Sequence, residues 1–165
     1  MPYDVTFTRL ETQALFDLKG RREAVQEWAG EALPACPDQP NSKTEAGGAT
    51  LMFIGPDHWL LRADLAREAA LEATLRPAEA PPEMSIVRVS DTLAFFRVIG
   101  PEASEILAIA CPMDLHESRF GPDTASFTEA FGIKALVTRC EGGFEVGVEQ
   151  SFGPMMLDCL TRASC

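Results

Sequence analysis

The segment Leu93–Ile99, LAFFRVI, carries apolar side chains on both of its alternating faces: Leu93, Phe95 and Ile99 on one, Ala94, Phe96 and Val98 on the other. A strand that is apolar on both sides must be covered on both sides, so this run predicts a central strand in a sheet. Gly100 breaks the strand, and Pro101 suits the first position of a helix. Ala103, Ile106, Leu107 and Ala110 then supply a buried helical stripe, which Pro112 stops. Arg97 is the one charge inside the strand. A buried guanidinium needs a partner, and a carboxylate such as Asp114 or Asp91 is the expected one.

The rest of the chain reads as the same theme met earlier. Val5–Leu10 is a weak strand and Gln13–Leu18 a short apolar run ending at Lys19-Gly20. Arg21–Leu33 is an amphipathic helix on the stripe Ala24, Val25, Trp28, Ala29, Ala32 and Leu33, and Pro34 ends it. Residues 34–48, PACPDQPNSKTEAGG, read as a long loop. Ala49–Ile54 and His58–Arg62 form a hairpin about Gly55-Pro56-Asp57. Asp64 caps a helix running to about Arg76, and the proline-rich 77–83 marks an internal boundary. Beyond it lie a strand at Ser85–Val89, the strand–turn–helix above and a loop over 113–124. Strands follow at Ala125–Ala130, Ile133–Arg139 and 144–148. Ser151 is the expected cap of a last helix with Phe152, Met155, Met156, Cys159 and Leu160 on its buried stripe. Glu145 and Glu149 alternate with apolar residues and read as a solvated face.

Gly20 and Gly100 stand 80 residues apart (100 − 20), and each follows an apolar strand and precedes an apolar helix. A βαββα-like unit cannot bury both faces of a short sheet alone, whereas two can. The expectation is an α+β fold: two ferredoxin-like βαββα repeats packed into one domain over 1–165, mainly antiparallel. The repeats would run over about 5–76 and 84–162, joined by 77–83.

The formal net charge of −11 opposes phosphate backbones and anionic lipid, so neither nucleic acid nor a membrane surface is an expected partner. Five cysteines with no C-x-x-C argue for reduced thiols, and no basic-then-apolar leader opens the chain, so a cytoplasmic location is expected. Neither a G-x-G-x-x-G nor a G-x-x-x-x-G-K-[ST] phosphate loop is present. Cys111, Asp114 and His116 resemble a thiol–acid–imidazole set, but a working triad needs the ring to bridge the other two in space, which six neighbouring residues at a helix end do poorly. The better reading is structural: Cys111 packs, Asp114 braces backbone N–H groups, and His116 satisfies a turn or meets a partner. Two histidines and scattered thiols make no zinc frame. Trp28 reads as core; Trp59 is either a core aromatic or an interface anchor.

Four stretches carry a family resemblance: residues 54–61 (IGPDHWLL), the strand-to-helix turn at Gly100-Pro101, residues 111–116 (CPMDLH) with Phe120 following, and Gln150-Ser151-Phe152. In order, they resemble the gamma subunit of heterotetrameric sarcosine oxidase, a family related to the folate-binding domain of the glycine-cleavage aminomethyltransferase. His58 stands in place of the family's usual acidic residue, and Gln150 in place of its usual arginine. The resemblance implies a non-catalytic subunit docking on the alpha and beta subunits, with delta possible, in a complex that demethylates sarcosine to glycine and passes the one-carbon unit to tetrahydrofolate. It places FAD, FMN and NAD in the large subunits and none in this chain. Trp59, Arg97, Asp114, His116 and Gln150 are the candidates for partner contact or for holding the 111–120 hook. Two other readings are a stand-alone folate-binding or one-carbon-transfer protein and a ferredoxin-like small-molecule regulatory module.

Overall fold

The computed structural model describes residues 2–165. The chain divides into two compact units, Thr12–Asp91 as one and the stretch through Glu11 with Thr92–Cys165 as the other. Each unit holds one five-stranded antiparallel sheet and two of the four α-helices found among the described residues, an α+β architecture.

The Thr12–Asp91 unit runs β2 (Gln13–Lys19), α1 (Arg22–Ala29), β3 (Lys43–Ala46), β4 (Ala49–Gly55), β5 (His58–Asp64), α2 (Glu68–Leu75) and β6 (Ser85–Arg88), with β1 lying earlier at Thr6–Arg9. Its sheet order is β3-β4-β5-β2-β6. Ala14, Phe16 and Leu18 alternate from β2 onto the helices and meet Trp59 and Leu61 of β5, Val25 and Ala29 of α1, and Leu71 and Leu75 of α2. Burying side chains of this size contributes roughly 1.5–3 kcal/mol each. The last turn of the helix expected to reach Leu33 is a 3-10 turn over Gly30–Ala32, begun by Gly30 at φ 55°. Asp64 does cap: its Oδ1 accepts from Ala66 N at 2.8 Å, closing the 3-10 turn that leads into α2.

The 34–48 segment is not a bare loop. Its end forms β3, an edge strand whose sequence KTEA has too little apolar content to show period two. Its start is pinned: Gln26 Nε2 donates to Pro34 O at 3.3 Å, Cys36 N donates to Gln26 Oε1 at 3.1 Å, and Trp59 Nε1 donates to Pro37 O at 3.0 Å.

The other unit contains β1, β7 (Leu93–Ile99), α3 (Ala103–Ala110), β8 (Ala125–Ala130), β9 (Ile133–Cys140), β10 (Gly143–Glu149) and α4 (Gly153–Ala163), in sheet order β1-β7-β10-β9-β8. Read from the opposite end, the first sheet is β6-β2-β5-β4-β3, so the two units share one topology. The repeat is therefore βαβββα with an added edge strand, one strand richer than the βαββα reading, and β3 is the missing piece. β7 is flanked on both sides, by β1 and β10, and sends Ala94, Phe96 and Val98 into a core with Ile106, Leu107, Val137, Phe144, Val146, Met156 and Leu160.

Two expectations at the C-terminal end are corrected. Ser151 does not cap α4; its hydroxyl donates to Glu149 Oε1 at 2.8 Å, and a 3-10 turn over Gln150–Phe152 precedes the helix. The buried stripe keeps Met156 and Leu160, while Met155 and Phe152 are exposed. α4 turns its Met156 and Leu160 side to the core, and Met155, about 100° round the helix from Met156, falls outside it. Among the described residues no helix is long and apolar enough to cross a membrane.

Candidate functional site

The 111–120 segment leaves α3 and turns back under the sheet end as a hook. α3 closes with Cys111 N donating to Leu107 O at 2.7 Å. Leu115 and Phe120 are buried and anchor the hook in the core. Arg139, the seventh residue of β9, braces it: Nε donates to Phe120 O at 2.8 Å and Nη2 to Leu115 O at 2.6 Å. The same guanidinium lies over the Phe144 ring, 4.2 Å from its centre, and Phe120 packs on Phe144 with centroids 6.2 Å apart. Sequence reasoning missed Arg139. Its only signal was a cation closing an apolar strand, which ordinarily reads as a side chain reaching for water.

Within the hook, Asp114 Oδ1 accepts from His116 N at 3.0 Å, the bracing role expected of it. His116 O accepts from Arg119 N at 2.9 Å and from Phe120 N at 2.8 Å. The His116 ring is exposed; its Nδ1 lies 2.8 Å from Ser118 Oγ and accepts from Ser118 N at 3.2 Å. Cys111 is buried, and burial pushes its thiol up to about 11. The imidazole thus turns to Ser118, Asp114 serves the backbone, and the thiol is held protonated, so the three do not assemble as a nucleophilic triad.

Arg97 does not pair with Asp114 or Asp91. Its Nε and Nη2 donate to Glu145 Oε1 at 2.9 and 2.6 Å. Arg97 and Glu145 are direct partners across β7 and β10, and directly opposed side chains on a sheet sit about 4.5–5.5 Å apart at Cβ, closer than a loop carboxylate comes without moving the backbone. Glu145 is 7% exposed, so the solvated face read there is also corrected. The hydrogen bond from Arg97, and then the charge of Glu145, hold the Arg97 guanidinium above even its usual high pKa.

Trp59 is 1% exposed and belongs to the core of its unit, where the Pro37 carbonyl satisfies its N–H; the anchor alternative does not apply to its side chain. Gln150 is exposed at the start of its 3-10 turn, held through its backbone N–H to Thr92 O at 2.9 Å. His58 is half-buried on β5, its Nε2 2.7 Å from Asp17 Oδ2. The hook therefore joins Asp114 and His116, while Trp59, Arg97 and Gln150 lie in other settings. Among the described residues no group of three or more His, Cys, Asp or Glu side chains is placed to hold a metal ion.

The profile of the sarcosine oxidase, gamma subunit family matches residues 25–165. The chain belongs to that family. It is 30% identical over 95 residues to the sarcosine oxidase subunit gamma of Corynebacterium sp. strain U-96, a stretch covering 58% of this chain and 45% of the relative. The counterpart from Corynebacterium sp. strain P-1 is 29% identical over 92 residues, 56% of this chain and 44% of the relative. The chain thus spans less than half the length of the curated gamma subunits it matches. In three dimensions this gamma-family chain is similar to a chain of the heterotetrameric sarcosine oxidase from Corynebacterium sp. U-96 in complex with pyrrole 2-carboxylate. The TM-score is 0.82 at 23% identity, over 97% of this chain and 83% of that one. It also resembles the glycine cleavage system aminomethyltransferase T from Bartonella henselae, with a TM-score of 0.71 at 16% identity over 96% of this chain and 46% of that one. At such identities both likenesses concern the fold.

Proposed function

We propose that this chain is a non-catalytic gamma subunit of a heterotetrameric sarcosine oxidase, docking on the alpha and beta subunits, with delta completing the set, in the cytoplasm. The observation that carries the reading is the family match, which runs unbroken through both units from residue 25 to 165. The complex would demethylate sarcosine oxidatively to glycine, with the one-carbon unit passed to tetrahydrofolate. FAD, FMN and NAD would sit in the large subunits. Glu145, the buried carboxylate among the described residues, is engaged by Arg97. The subunit's contribution is then a folded surface, and its net charge of −11 suits a basic patch on the partner. Asp114, His116 and Gln150 are exposed polar positions for that contact, and Arg97 ties β7 to β10.

The test is co-purification of the tagged chain from its native host. Flavin-bearing large subunits in stoichiometric amount are the expected result. A chain that elutes alone and colourless overturns the reading. Saturable binding of tetrahydrofolate to that isolated chain would instead favour a folate-binding protein, consistent with the fold shared with the Bartonella aminomethyltransferase.

A further inference from the structure

β6 is an edge strand that pairs with β2, where Ile86 faces Leu18 and Val87 faces Asp17. Ile86 is 5% exposed and Val87 47%. The two are adjacent β-branched residues, so the apolar pattern of SIVR suits either face. A move of one residue exchanges them, because neighbouring strand residues point to opposite faces. The corresponding strand of the other unit shows the alternative. Along the 80-residue spacing of the repeat, Val98 corresponds to Leu18 and Phe7 to Val87. There Phe7 faces Val98 and packs on the core. β6 therefore stands one residue out of step with β1.

Two polar contacts hold the observed register. Arg88 Nη1 donates to Glu72 Oε2 at 2.8 Å and lies 3.7 Å from Glu68 Oε1, both on α2. Ser90 is buried, and its hydroxyl accepts from Leu15 N at 3.1 Å, beside the bond from Val89 N to Leu15 O at 2.8 Å. Met84 and Ile86 enter the core in this register. The shifted register has a complement of its own. It turns Val87 and Val89 to the core in place of Met84 and Ile86, a difference of about two side-chain heavy atoms. It sets Arg88 opposite Asp17, an opposite-charge pair across strands. Asp17 now holds His58 Nε2 at 2.7 Å and Lys19 Nζ at 3.7 Å. The shift also shortens the connection from β6 to β7, residues 89–92, by one, to the length of the 10–12 connection between β1 and β2.

We propose that β6 is a two-register strand, latched in the observed register by Arg88 on Glu72 and Ser90 on Leu15, and able to step by one residue to a second register that buries Val87 and Val89 and pairs Arg88 with Asp17. The apolar content of the two states is close, so the polar latch decides which is populated. The step exchanges the side chains that this sheet edge presents to solvent.

The test traps each register in the full chain with paired cysteines under a mild disulfide oxidant, read by peptide mapping. Lys19 faces Ser85 in the observed register and would face Ile86 in the second. Lys19→Cys with Ser85→Cys therefore reports the first, and Lys19→Cys with Ile86→Cys the second. Ser90→Ala is expected to speed the 19–86 bridge roughly tenfold, the effect of one buried hydrogen bond. Glu72→Gln, an exposed change that leaves the fold untouched, is expected to speed it about two- to fivefold and keeps the test open should Ser90→Ala not fold. Asp17→Asn, added to either, removes the pair gained only in the second register and should slow the 19–86 bridge again by about two- to fivefold. A 19–86 bridge that forms no faster without the latch overturns the proposal. So does one that Asp17→Asn leaves unchanged, because the strand then frays and does not step.

Discussion

Arg97 and Glu145 face each other across β7 and β10, with two guanidinium nitrogens on a single carboxylate oxygen at 2.9 and 2.6 Å. The pair is uneven: the Arg97 side chain is 48% exposed and that of Glu145 9%. Removing the arginine takes two charge-assisted hydrogen bonds from a buried carboxylate, whereas removing the carboxylate leaves a guanidinium that can turn to water. Arg97→Ala is therefore expected to cost about 2 kcal/mol, below the roughly 3–5 kcal/mol of a fully buried pair because one partner is half in solvent. Glu145→Ala should cost less, about 1 kcal/mol. Urea unfolding of both single variants and the double variant gives the coupling. A double variant whose loss equals the sum of the singles would show that the pair contributes nothing of its own.

Gly20 and Gly100 hold matching positions in the two units and nearly the same backbone, φ 143° and φ 144°. Any side chain is strained there, but the surroundings differ. A Cβ on Gly100 would lie 2.2 Å from Asp4 O and 2.9 Å from Val5 Cα, both backbone atoms leading into β1. A Cβ on Gly20 would meet Val25 Cγ2 at 3.3 Å and Glu83 O at 3.4 Å, contacts that a small shift relieves. Gly100→Ala is expected to destabilise by about 3 kcal/mol or more and Gly20→Ala by about 1–2 kcal/mol. Equal losses in thermal or urea unfolding would mean that backbone strain alone, and not the approach of residues 4–5, decides the position.

Burial pushes both Cys36 and Cys111 up to about 11; at Cys36 the Arg22 charge pulls down against it and Glu23 pushes up with it. The folded state thus favours the neutral thiol. The unfolded chain begins to ionise these groups near the ordinary thiol value of 9.0, so their contribution to stability is complete below pH 9 and is lost as pH rises toward about 11. Unfolding free energy should fall across that window, and less steeply in Cys111→Ala. At pH 8 an aromatic disulfide reagent should modify exposed Cys165 first and reach Cys36 and Cys111 only on unfolding. Rapid modification of Cys111 in the native state would contradict its buried position.

Much of the architecture was legible because it rests on local alternation. Leu93–Ile99 declares a strand, Ala103–Ala110 a helix and Gly100 the break between them, all from neighbours within a few residues. The hook's bracing by Asp114 was legible for the same reason, since an aspartate reaches the N–H two residues on wherever the chain turns. β3 was not: an edge strand buries little, so KTEA needs no apolar period to pair with β4. Arg139 was not, because its work lies with two carbonyls 19 and 24 residues away.

The sequence by itself determined the periodicities, the breaks, the repeated strand–glycine–helix unit and family membership, since each is written in residue types and their spacing. Only the tertiary structure decided which strand β1 pairs with, that Arg97 faces Glu145 and not Asp114, and which of Met155 and Met156 is buried. These depend on register between strands far apart in the chain and on the rotation of a helix against its sheet. A one-residue change in either moves a side chain from core to solvent while leaving the local pattern unchanged.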